Sequence, residues 1–164
     1  MPLGREYLEL IAVVDRDVAA ASDFGCPVLE AVANGQRLVG WVVQTDDLRG
    51  VATRLGLEVV EGSRTRPDGS TLAWQLAGVA PALATGALPI FIEWDAAPRF
   101  HPGAAVAEHA SRPHGFAWIE VSAEEHLLQD WLGDHELPLK ITSAGPPGLA
   151  AVAISTDAGE IVLR

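Results

Sequence analysis

The chain has 164 residues, enough for one domain with a proper core or for two small modules that share one. Its 22 acidic and 11 basic residues give a net charge of −11, and Lys140 is the only lysine, so there is no basic footprint for nucleic acid or an anionic membrane surface. No apolar run approaches the roughly 20 residues that cross a bilayer.

Hydrophobic content of 49% and charged content of 20% fit a soluble globular protein. The single cysteine, Cys26, excludes an internal disulfide framework and suits a reducing, cytoplasmic setting. Met1–Glu6 lacks a basic stretch followed by a long apolar one, so no signal peptide is expected. Cys26 precedes Pro27 with no histidine nearby in sequence, and reads as a small buried hydrophobe.

In chain order, Glu6–Val14 is apolar apart from Glu9 and reads as a strand. Asp15–Gly35 is richer in alanine, and Pro27 suits the start of a helix with the stripe Val28, Leu29, Val32 and Ala33. Leu38–Thr45 alternates as a strand. Thr45 or Asp46 then caps a helix whose buried stripe is Leu48, Val51, Ala52 and Leu55, and Gly56 stops it. Leu57–Val60 is a second strand, and Arg66–Ser70 is a turn. Leu72, Trp74 and Leu76 share one face of a third strand, and Pro89–Trp94 is a fourth. Residues 98–114, rich in proline, histidine and alanine, read as a connector.

Phe116–Val121 opens a second series. Ser122 with Glu125 matches a capping box, ahead of a helix with the stripe Leu127, Leu128, Trp131 and Leu132 that ends at Gly133. Strands at Leu137–Thr142, Leu149–Thr156 and Glu160–Leu163 follow. Leu55-Gly56 and Leu132-Gly133 lie 77 residues apart, and Pro67-Asp68-Gly69 corresponds to the turn Gly145–Gly148. The two stretches therefore form a tandem repeat. A unit this small buries little surface, so two copies must share a core.

The expected organisation is an N-terminal strand and short helix (1–37), a first complete βαβββ module (38–97), a connector (98–114) and a second module (115–164). The fold class is α+β, with each helix covering one face of its sheet and the other faces forming a cleft.

This pattern resembles the glyoxalase-like branch of the vicinal oxygen chelate superfamily. The likeness rests on Gly40-Trp41 with Thr45-Asp46-Asp47-Leu48, on Arg64–Gly69, and on Leu88–Trp94. It implies a curved mixed sheet, built from paired modules around a cleft, where a small molecule binds. It also implies a lyase, isomerase or dioxygenase chemistry on a divalent metal in catalytic relatives, and plain sequestration in others. Tyr7-Leu8-Glu9-Leu10 looks like the closing strand of a further module, of which only Met1–Arg5 precede it here.

The metal positions implied by the resemblance are poorly filled. Gly40 and Phe116 stand where relatives place His or Gln, and Glu93 and approximately Val162 stand at the acidic positions. A two-residue shift in register would bring in Trp118 and Glu160. A protein metal site needs about three donor side chains of suitable type, so no metal and no other cofactor is expected, with a divalent metal as the alternative.

Alternation places Gly40, Val42 and Gln44 on one face of their strand and Trp41, Val43 and Thr45 on the helix face. The matching set in the second module is Phe116, Trp118 and Glu120. Gln44, Glu93, Phe116, Trp118 and Glu120 are thus candidates for a ligand cleft, with Glu9 as a sixth. Alternatively, Phe116 and Trp118 fill the cleft as core, and Glu93 sits on an open sheet face. Arg64 and Arg66 either clamp an anionic ligand or are a solvated hairpin tip. The five histidines share no metal spacing and read as structural or surface residues; the alternative for His101, soon after the Glu93 strand, is a place at the cleft mouth.

The function expected is binding of an unidentified small molecule without a complete metal site; the alternatives are a metal-dependent enzyme drawing ligands from elsewhere, or a scaffold module. The apolar Tyr7–Val14 strand, left without flanking strands, predicts a homodimer.

Overall fold

The repeated pattern of strand, helix and three strands builds two four-stranded mixed sheets, each with a helix against one face. The computed structural model describes residues 1–164. In chain order the elements are α1 (Arg16–Ala20), α2 (Gly25–Ala33), β1 (Val42–Gln44), α3 (Leu48–Leu55), β2 (Val59–Thr65), β3 (Thr71–Ala77), α4 (Val79–Thr85) and β4 (Ile90–Asp95). Two 3-10 turns, Pro98–Phe100 and Pro102–Ala104, lead to β5 (Pro113–Ser122), α5 (Glu125–Leu132), β6 (Leu139–Thr142), β7 (Gly148–Thr156) and β8 (Gly159–Leu163). The class is α+β, as the sequence implied.

The two halves pair their strands differently. The first sheet runs β1-β4-β3-β2, with β1 parallel to β4 and the other pairs antiparallel. The second runs β6-β5-β7-β8, so its opening strand sits inside the sheet, parallel to β6 and antiparallel to β7. A repeat in sequence thus yields two sheets of different strand order.

The helix faces of both sheets drain into one core. Trp41, Leu48, Ala52, Ala77 and Phe91 from the first half are buried together with Val121, Leu128 and Leu132 from the second. Trp131 of α5 is the main bridge: its ring stacks on Phe91 at 6.1 Å, and its indole N–H donates to the Pro89 carbonyl at 3.0 Å. Arg54 of α3 donates to the Asp130 and Trp131 carbonyls at 2.7 and 2.9 Å, satisfying the open C-terminal end of α5.

Helix stripes match the sequence in α3, where Leu48 and Ala52 are buried and Val51 and Leu55 pack on the core. In α5 the stripe is narrower, because Leu127 is exposed while Leu128 and Leu132 are buried. Caps differ from expectation. Asp47, not Thr45 or Asp46, caps α3 by accepting from Gly50 N, while Thr45 Oγ1 accepts from Asp47 N. Glu124 is the residue that precedes α5, and Ser122 remains in β5, where its buried hydroxyl donates to the Ala144 carbonyl. A strand that continues through Ser122 leaves that hydroxyl too early to cap the helix.

Three further differences concern the chain outside the modules. Glu6–Val14 forms no strand; its only β contact is an isolated bridge between Pro2 and Tyr7. An extended segment needs a neighbouring strand to satisfy its backbone, and none lies beside Glu9–Val14, where Leu10 and Val14 are 85% and 97% exposed. Cys26 is exposed, since α2 buries Val28 and Ala31 instead. Helix α4, between Gly78 and Gly86, was not anticipated; both glycines adopt the left-handed conformation that starts and stops it.

Candidate functional site

Strand alternation together with the observed register fixes which side chains share each face of the first sheet. Phe91 lies in the core, so Glu93 points to the helix side and Ile92 and Trp94 to the other. Glu93 is therefore corrected. It is not on the face of Gln44, whose partner across β1 and β4 is Ile92. Its carboxylate instead accepts from the Leu48 amide at 2.8 Å, at the part-buried N-terminal end of α3. The apolar run before it hides this parity, because Ile90, Phe91 and Ile92 give no polar residue to mark the solvent side.

The other predicted residues do not gather in one cleft. Gln44 is exposed on the edge strand β1, and Glu9 is exposed on the N-terminal segment near Tyr7. Trp118 and Glu120 share the face of the second sheet away from α5, because Ile119 and Val121 between and beside them pack into the core. There Trp118 lies over the strand that carries the buried Ala151 and Ala153, with its indole N–H donating to Glu160 at 2.9 Å. Lys140 Nζ sits 3.6 Å from the Trp118 ring centroid. This surface is filled by its own side chains. Phe116 stands apart, beyond an irregularity in the β5–β7 register, and its backbone N–H donates to the Glu6 carboxylate. An open hollow of about 410 Å³ runs between Leu3–Glu6 and Pro113–Phe116.

Residues that the sequence reading did not single out form an aromatic group on the first sheet. Trp74 and Trp94 are direct cross-strand partners on the face away from α3, with ring centroids 5.4 Å apart. Gly62, opposite Trp74 on β2, makes room: a Cβ there would collide with the Trp74 indole. The N-terminal segment brings Tyr7 to 6.5 Å from Trp94, and the connector brings His101 to 5.6 Å from both Trp94 and Tyr7, all edge-on. Leu3, which is fully buried, and the Glu6–Phe116 hydrogen bond hold the segment that carries Tyr7. The signal for Trp74 was present in the alternation of Leu72, Trp74 and Leu76. His101 is signalled only by its place soon after the Glu93 strand, and Tyr7, from the distant N-terminal segment, by nothing.

The polar atoms of this group are mostly donors. The indole N–H of Trp94 is shielded from solvent and has no acceptor, at a cost of about 1–3 kcal/mol for a group left in that state. The Tyr7 hydroxyl has no hydrogen-bond partner either, and burial, aided by the Glu9 carboxylate and opposed by the Arg64 guanidinium, raises its pKa above 10.0. Burial lowers the His101 pKa below 6.5. His101 Nδ1 accepts from Gly103 N at 3.1 Å, which puts the proton of the neutral ring on Nε2.

Arg64 and Arg66 extend this face along β2. Arg66 is committed: it donates to the Phe100 carbonyl at 2.6 Å and stacks on the Phe100 ring at 4.6 Å. Arg64 is exposed and makes no hydrogen bond or ion pair. A hollow of about 230 Å³ lies at this end, lined by Arg66, Thr71, Leu72, Asp95, Ala97 and Phe100. At the hairpin tip, hydrogen bonds from the Ser70 hydroxyl and amide pull the Asp68 pKa down.

No three His, Cys, Asp or Glu side chains approach closely enough to share a cation. Gly40, Phe116 and Val162 supply no side-chain donor, and the Glu93 carboxylate is bound to a helix N-terminus. The residues of this chain do not fit the divalent-metal site of the resemblance.

The sequence model of one protein family, described as a glyoxalase-like domain, matches residues 1–137. No curated protein and no solved structure matches the chain. No helix is long and apolar enough to cross a membrane.

Proposed function

The chain belongs to the glyoxalase-like domain family, and from that premise we propose that it binds a small molecule on the aromatic face of its first sheet. The observation that carries this reading is the Trp94 indole N–H, buried without an acceptor among rings that are themselves only half-buried. Buried donors in folded proteins are almost always paired; a ligand acceptor supplies the missing partner once Tyr7 or His101, which pack edge-on against the Trp94 ring, moves aside. The hollow of about 230 Å³ lined by Arg66, Leu72, Asp95 and Phe100 lies beside the two indoles rather than over them.

The surface of Trp118 and Glu120 does not compete for this role, since Lys140 and Glu160 already occupy the tryptophan. A catalytic reading on a metal needs donors that this chain does not bring together. Ligand-observed NMR with a library of one- and two-ring compounds tests the proposal. Hits that lose their saturation-transfer signal with Trp74→Ala support it. Hits that keep full signal with this variant place binding elsewhere and overturn it.

A further inference from the structure

We propose that the ligand of this face is a planar aromatic carboxylate, stacked on Trp74 beside Trp94 and held through its carboxylate by Arg64. The inference rests on the binding face proposed above and adds the chemical class of the ligand.

Shape comes first. Trp74 lies across Gly62, and Trp94 meets it at 5.4 Å with the two indole planes 59° apart, so a flat ring that stacks on Trp74 presents its edge to Trp94. Flat aromatic ligands gain most from such a surface, through stacking and the exclusion of water. The half-buried Leu76 and the buried Leu72 and Ile92 continue the same face on either side. An aliphatic chain would gain the burial without the stacking.

Charge comes second. Strand alternation puts Arg64 on the same face as Gly62, two residues away, or about 7 Å along the strand. The register pairs Arg64 with Leu72, which is likewise two residues from Trp74. Acidic residues outnumber basic ones by 22 to 11 in this chain, so a surface arginine has many potential partners. Arg64 has taken none, whereas Arg66 beside it is bound to Phe100. The free hydrogen-bonding groups around the platform are the Trp94 N–H, the Tyr7 O–H and the His101 Nε2–H, all able to donate. Of the acidic side chains close by, Glu9 is exposed at the edge near Tyr7, and Asp95 follows Trp94 and lines the adjoining hollow beside Arg66. A ligand that matches this array offers acceptors and a negative charge.

Arg64 is the guanidinium on this face that pairs with no other side chain, since Arg66 and Arg99 both stack on the Phe100 ring. It forms two parallel hydrogen bonds with a carboxylate, whose planar fork it matches. A phosphate dianion calls for further cations or a cluster of backbone amides, and the platform has neither within its set of donors. The carboxylate should lie at the β2 end of the ring system, over Arg64, with the rings extending toward Trp94.

Calorimetric titration with three probes separates the contributions: 2-naphthoate, the neutral 2-naphthamide of the same shape, and cyclohexanecarboxylate, which keeps the charge but not the aromatic ring. The expected result is that 2-naphthoate binds at least tenfold more tightly than either of the others. Arg64→Gln should weaken 2-naphthoate about tenfold and change 2-naphthamide less than about twofold, the size expected for one charge-assisted contact. Arg64 is exposed on a hairpin, so thermal melts of the variant should match those of the native chain. Equal affinity for 2-naphthoate and 2-naphthamide, or indifference of 2-naphthoate to Arg64→Gln, overturns the carboxylate assignment while leaving the aromatic face as a binding site. Failure of all three probes to bind, or binding that Trp74→Ala does not weaken, overturns the binding face as well.

Discussion

Glu93 shows how a residue can keep its place in a motif while its side chain takes another role. Its carboxylate accepts from the Leu48 amide, one of the unpaired donors at the start of α3, and also lies at the positive end of that helix. Glu93→Ala should destabilise the protein by about 1–2 kcal/mol, the range for loss of a helix cap, as measured by urea unfolding. Glu93→Gln should lose less, because an amide oxygen still accepts. Gly62 carries an opposite constraint: its value is an absent side chain. Gly62→Ala should displace the Trp74 indole and cost about 1–3 kcal/mol, as overpacking does, with a change in tryptophan fluorescence that reports the displaced ring. At His101, burial keeps the folded pKa below the unfolded value of about 6.5. The unfolded chain then binds more protons as pH falls through that value, so the stability linked to this group is present above about pH 6.5 and lost below it. Protonation also removes Nδ1 as the acceptor for Gly103 N. His101→Phe should therefore narrow the stability difference between pH 7.5 and pH 5.5 in chemical denaturation; an unchanged difference would mean that another group controls it.

Among the elements, α3 and α5 are legible because each repeats an apolar stripe at helical spacing and ends at a glycine. Their mutual contact is not legible, since Arg54 and the carbonyls of Asp130 and Trp131 are 76 and 77 residues apart. Arg54→Ala removes these charged donors from the C-terminal end of α5 and should cost about 1 kcal/mol, because the side chain is exposed and water partly replaces it. Thermal denaturation of the variant measures this. The N-terminal segment shows the converse. Tyr7–Val14 has the composition of a strand, yet strand formation is a property of pairs, and residues 9–14 have no neighbour to pair with. The second sheet shows a further limit: β5 corresponds to β1 in sequence but lies inside its sheet rather than at an edge. Strand order depends on which edges remain free after each helix crosses over, and no local residue records it.

For the whole molecule, one core serves both halves, and Trp131 is its most informative probe. Trp131→Ala would remove the stack on Phe91 and the hydrogen bond to the Pro89 carbonyl together, and should cost about 3–5 kcal/mol, as large aromatic truncations in cores do. A single cooperative unfolding transition, lowered as a unit, is expected; two separate transitions would show that the halves fold independently. Association is the other property at this scale. Leu10, Ile11 and Val14 are exposed on an extended segment whose backbone groups have no strand partner. Such a segment invites pairing with another chain, and a homodimer is the expected outcome in light scattering at micromolar concentration, weakened by Leu10→Lys together with Val14→Lys. A monodisperse monomer for the native chain would refute it.

The sequence by itself determined the α+β class, the repeated order of strand, helix and three strands, and the apolar stripes, because spacing and punctuation are local and each copy supports the other. The resemblance, laid on the sequence, further implied that Gly40, Phe116 and approximately Val162 stand at metal positions, or Trp118 and Glu160 after a two-residue shift in register. Only the tertiary structure decided that Glu93 faces a helix and that the two sheets order their strands differently. Only the tertiary structure, too, joined Tyr7 and His101 to Trp74 and Trp94. The physical reason is the same in each case: a strand buried on both faces carries no polar mark of its orientation, and contacts between residues far apart in the chain depend on how whole elements pack.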